Sequence, residues 1–176
     1  MTAAWTSSDE GGGMRTKKVT VMALAIALAM ILSFVESQIP AFVSIPGVKM
    51  GLANIAVVFV LYQLGWKEAA LISLIRVFLV SILFGSFASL FYSLAGAVLS
   101  LISMAALKKT GLFSEIAVSV AGGVLHNVGQ IAMACLLLQT DVIRYYLPFL
   151  VLSGTLAGIV IGLLAGILVK RIRVEG

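Results

Sequence analysis

Apolar residues occupy this chain in six blocks, at about 19–39, 51–64, 67–84, 87–107, 114–138 and 143–169, with short polar turns between them. A straight helical crossing of a bilayer takes roughly 20 residues, with a range of about 17–25. Five blocks reach that length. The second falls short unless the preceding "PGVKM" adds a turn or the helix is shielded from lipid. An open sheet cannot satisfy its backbone in hydrocarbon, and the blocks lack the apolar–polar alternation of a membrane β-barrel. The pattern predicts an all-α integral membrane protein with six transmembrane helices over 19–173, behind a disordered, Gly-rich N-terminal tail at 1–18.

Composition agrees. The chain has 176 residues, of which 61% are hydrophobic and 11% charged, against about 25% charged in soluble domains. A small domain buries only part of its surface, so lipid must cover most of this one. The net charge of +5 would suggest nucleic acid in a soluble protein. Here Arg15, Lys17, Lys18, Lys67, Lys108, Lys109, Lys170, Arg171 and Arg173 fall in the tail, in two connections and after the last block. With six spans these places share one side. They hold nine of the twelve basic residues, so the positive-inside rule puts both termini in the cytoplasm. No nucleic-acid partner is expected. Cys135 lies in "IAMACLLL" and reads as a packing residue.

Small residues recur at helical spacing. Gly154, Gly158, Gly162 and Gly166 repeat every fourth residue and predict a groove for close helix packing. Ala23 with Ala27, and Ala25 with Ala29, repeat in the same way.

The polar residues inside the blocks carry the candidate chemistry. An ionisable group in a span costs roughly 2.5–3.5 kcal/mol on insertion scales. Glu36 and Gln38 come late in the first block. Lys49 and Asn54 bracket the start of the second, Arg76 is mid-third, and His126, Asn127 and Gln130 are mid-fifth, within one helical face. All fall between the membrane centre and the outer surface. These eight residues predict a pocket reached from outside, suited to a small anionic or strongly accepting substrate. Other chemistry is missing. The two aspartates, Asp9 and Asp141, are far apart, so no paired carboxylates hold magnesium and a diphosphate. There is no Walker A loop, and one histidine with one cysteine makes no haem or iron–sulfur site. The chain is not expected to be an enzyme by itself, and no cofactor is expected.

The stretch "PGVKMGLANI" after a first span, with six spans and a basic turn after the fourth, resembles a bacterial family. That family is labelled both Gx transporter and heptaprenyl diphosphate synthase component I. It looks like the substrate-binding S-components of energy-coupling factor (ECF) transporters. The resemblance covers about 17–173. It implies a six-helix bundle in the bacterial cytoplasmic membrane and a gating loop at 40–49. Pro46 and Gly47 would make the turn of that loop, with Lys49 and Gly51 also in the gate. It implies docking of Ala23, Ala25, Ala27 and Ala29 on a coupling transmembrane subunit that works with ATPases. Two alternatives follow from the same resemblance. One is a non-catalytic membrane partner of a soluble prenyl synthase subunit. The other is a membrane subunit of a flavin- or quinone-linked electron-transfer system.

Overall fold

The computed structural model describes residues 7–38, 51–140 and 145–172. Six helices follow one another: α1 Ser7–Gln38, α2 Asn54–Gln63, α3 Trp66–Phe84, α4 Phe87–Thr110, α5 Glu115–Leu138 and α6 Leu147–Arg171. The all-helical expectation holds. Helical backbone in α1 begins at Ser7, within the stretch read as a disordered tail, while its apolar part is Thr16–Gln38. Once nucleated, a helix extends by one bond per residue fixed.

Six helices do not make six clear crossings. Among the described residues α1, α4, α5 and α6 are long and apolar enough to cross a membrane. Helix α3 has 19 residues, about 28 Å, and carries Lys67, Glu68 and Arg76. The expected second span is corrected. Helix α2 has ten residues, about 15 Å and half the hydrocarbon thickness. Residues 55–61 are all buried. A helix apolar on every side belongs inside protein, so the surrounding helices take the place of lipid around α2.

The other helices enclose it. Helix α5 lies between α4 and α6, α3 packs on α4 and α1, and α2 contacts α1, α3 and α6. The α4–α5–α6 wall is closely packed through glycines. A Cβ on Gly158 would lie 2.6 Å from Val120 Cα, and one on Gly162 would lie 2.7 Å from Ile116 Cα. On the other side of α5, a Cβ on Gly129 would lie 2.8 Å from Ala95 O. Gly166, the last of the stripe, has only Glu115 Cβ at 4.0 Å.

One end of the bundle is clamped by polar groups. Lys18 of α1 pairs with Glu68 of α3. Lys108 of α4 donates to Leu61 O in the last turn of α2 and sits over the Tyr62 ring. Gln63 donates to Val169 O and Ile172 O at the end of α6. The described basic residues outside Arg76 therefore collect at this end. The alanines of α1 divide. Residues two apart on a helix lie about 200° apart around it. Accordingly, Ala25 and Ala29 are buried in the core, whereas Ala23 and Ala27 are exposed.

Gly158→Ala should lower the melting temperature in detergent, because its Cβ meets backbone and overpacking costs about 1–3 kcal/mol. Gly166→Ala should be neutral or slightly stabilising, since alanine exceeds glycine in a helix by up to about 1 kcal/mol. Equal effects in thermal melts would show that the wall does not depend on this contact.

Candidate functional site

Helix α2 fills the middle of the basic half of the bundle and stops at Asn54. The surrounding helices continue without it. A polar cavity of about 50 Å³ lies there, enough for roughly four water-sized groups. Helix α1 contributes Ser33 and Glu36, one turn apart. The start of α2 contributes Gly51 and Asn54, and α3 contributes Arg76 beside Val77 and Val80. Ser93 comes from α4, and His126 with Gln130 from α5. Ser33 with Glu36, Arg76 with Val80, and His126 with Gln130 stand at i, i+3 or i+4 spacing, which puts side chains on one face.

Local structure fixes several of these groups. Gly51 has φ +74°, a left-handed conformation that glycine adopts without steric cost. Its N–H donates to Glu36 Oε1 at 2.5 Å, tying the end of α1 to the start of α2. Its carbonyl accepts from Asn54 N–H at 2.8 Å. On the α4–α5 side, a Cβ on Gly96 would lie 2.7 Å from His126 O. The same Cβ would lie 3.0 Å from His126 Nδ1, so α4 approaches the imidazole as well as the backbone of α5.

Arg76 is the unusual member. It is 8% exposed, and among the described residues no hydrogen bond or ion pair engages its guanidinium. The Glu36 carboxylate acts on it through space. A guanidinium stays charged in proteins and offers five donors in a fixed fork.

Of the eight residues expected in the pocket, Glu36, Asn54, Arg76, His126 and Gln130 line this cavity. Gln38 is exposed, donates to Ser37 Oγ and does not line it. Asn127 is buried on the α6 side of α5, where Nδ2 donates to Leu150 O at 2.7 Å. Lys49, Pro46 and Gly47 lie outside the described residues, so of the expected gate only Gly51 can be placed. Sequence reading missed Ser33 and Ser93. Ser33 precedes Glu36 by three residues, which is a usable signal. Nothing sets Ser93 apart from the other serines. Among the described residues no three metal-ligating side chains gather.

These features define a multi-pass helical membrane protein with a cavity lined by polar side chains within the bundle. The model of one protein family, heptaprenyl diphosphate synthase component I, matches residues 25–168, and the chain belongs to that family. The matched span includes every cavity residue. No curated protein and no solved structure matches the chain.

Asn127→Ala should weaken the α5–α6 contact by about 0.6–1.7 kcal/mol, the range of interhelical hydrogen bonds in membranes. It should leave any solute binding at the cavity unchanged. A melting curve paired with a binding isotherm on the same variant checks both halves.

Proposed function

We propose that this chain is the substrate-binding membrane subunit of an uptake system, resembling an S-component and powered by partner coupling and ATPase subunits. The cavity supports this reading. Five helices each send polar side chains to one cavity, in a bundle whose outer surface is apolar. Polar groups at that depth are costly unless they serve a pathway or a ligand. The basic end faces the cytoplasm by the positive-inside rule, which turns the cavity side outward. Exposed Ala23 and Ala27, with exposed Val19, Leu24 and Ile31 around them, offer a smooth apolar face for the coupling subunit. Ala25 and Ala29 face the chain's own core and leave that docking role to the outer pair.

The family's name favours a second reading, a non-catalytic membrane component of a heptaprenyl diphosphate synthase. In that case a soluble aspartate-rich subunit supplies the metal-bound diphosphate chemistry, and this chain anchors it.

Purification of the tagged full-length chain from native membranes separates the two. The uptake reading expects ATPase and coupling subunits in the eluate, and native mass spectrometry that reports a retained solute. Gln130→Ala and Asn54→Ala should each weaken retention of that solute about tenfold, the loss of roughly one hydrogen bond of 1.4 kcal/mol. Recovery of a prenyl synthase subunit, whose activity falls when this chain is removed, would instead establish the second reading.

A further inference from the structure

We infer that the cavity takes a small monocarboxylate, whose carboxylate is held by Arg76 beside the N-terminal end of α2. This rests on the reading of the cavity as a solute site and names the class of solute.

Two independent observations carry it. The first is the Arg76 guanidinium, 8% exposed and without a hydrogen-bond partner among the described residues. The Glu36 carboxylate offsets its charge through space but fills none of its five donors, and buried donors without acceptors are unfavourable. An arginine fork is satisfied most fully by a planar group that accepts two parallel N–H bonds, as a carboxylate does. The second is the position of α2. Its ten residues begin at the cavity wall, with Gly51 and Asn54 both lining it. The N-terminus of a helix carries about half a positive charge. A half-length helix ending inside a membrane protein aims that charge at whatever occupies the space.

Charge then limits the ligand. Glu36 already contributes one negative charge and is bound to Gly51 N–H. With Arg76 it leaves the cavity close to neutral, His126 being the other titratable group on the described wall. One added negative charge is offset in part by the α2 dipole. A phosphate dianion would add two beside Glu36, and like charges at close range repel strongly in a low dielectric. Size limits the ligand further. Space for roughly four water-sized groups suits an acid of about five heavy atoms. Asn54 and Gln130 provide amides for a second polar group, so a hydroxy acid fits better than a plain one.

The test uses the full-length chain in nanodiscs, with thermal melts and calorimetric titration at matched ionic strength. The probes are propionate, lactate, inorganic phosphate and propionamide, the neutral isostere of propionate. Propionate and lactate should raise the melting temperature saturably, with lactate the tighter binder, while propionamide and phosphate do not. Arg76→Gln should abolish the response. Arg76→Lys should weaken it at least tenfold, because an ammonium keeps the charge and loses the fork. Arg76→Gln also removes a buried side chain and the charge that faces Glu36, so its melting temperature without ligand serves only as the baseline for the response. Should Arg76→Gln not fold, the carboxylate–amide comparison and the lysine variant decide. Equal binding of propionamide or phosphate would overturn the inference, as would an unchanged response in Arg76→Gln or no response to either carboxylate. A propionamide response that disappears in Gln130→Ala would leave the cavity as a solute site and remove only the carboxylate class. A retained solute of another class in native mass spectrometry would do the same.

Discussion

A ten-residue helix surrounded by other helices can end inside a membrane protein only if its exposed backbone groups find partners, since neither lipid nor bulk water is there to supply them. Helix α2 meets this demand differently at its two ends. At its C-terminus Lys108 donates to Leu61 O, where a cation also favours the negative end of the helix, and Leu64 and Gly65 N–H fold back onto Val60 O. At its N-terminus the left-handed Gly51 turns the chain, accepts from Asn54 and donates to Glu36. The first arrangement produces the polar clamp at the basic end. The second brings a carboxylate into the middle of the bundle and leaves the space that becomes the cavity.

The rest of the architecture follows from enclosing that helix. Helices α1, α3 and α6 pack directly on it, and glycines let α5 approach α4 and α6 within the reach of a missing Cβ. Van der Waals contact and interhelical hydrogen bonds drive helix association in lipid, where apolar burial gives little preference for protein over acyl chain. The α5–α6 contact combines both: Gly154 leaves room for the Asn127 amide, which donates to Leu150 O. Asn127 and His126 are neighbours in sequence yet serve different ends, one holding the wall and the other facing the cavity. Their roughly 100° separation on the helix is enough to divide packing from site.

Much of this was legible in the chain. Six apolar blocks gave six helices, and five of eight expected polar residues share one cavity. Depth was the informative quantity, because polar groups that break the hydrophobic pattern at one level must meet something other than lipid. The two described residues of the eight that do not line the cavity share a cause. Gln38 and Asn127 sit one or two positions from true cavity residues, and composition does not record which way a helix is turned. The alanine pairs show the same thing. Ala23/Ala27 and Ala25/Ala29 are equivalent as spacings and opposite as faces.

The sequence by itself determined that this protein lives in lipid, that it is helical, and which of its two ends is basic. Those properties depend on the solvent each residue prefers and on local backbone satisfaction, which are additive along the chain. Only the tertiary structure decided that the second apolar block is an enclosed half-helix rather than a crossing, and that Arg76 faces Glu36 across a cavity without a hydrogen bond among the described residues. Length alone could not separate a shielded helix from a short span. The state of a buried charge depends on what five separate helices bring to the same few ångströms.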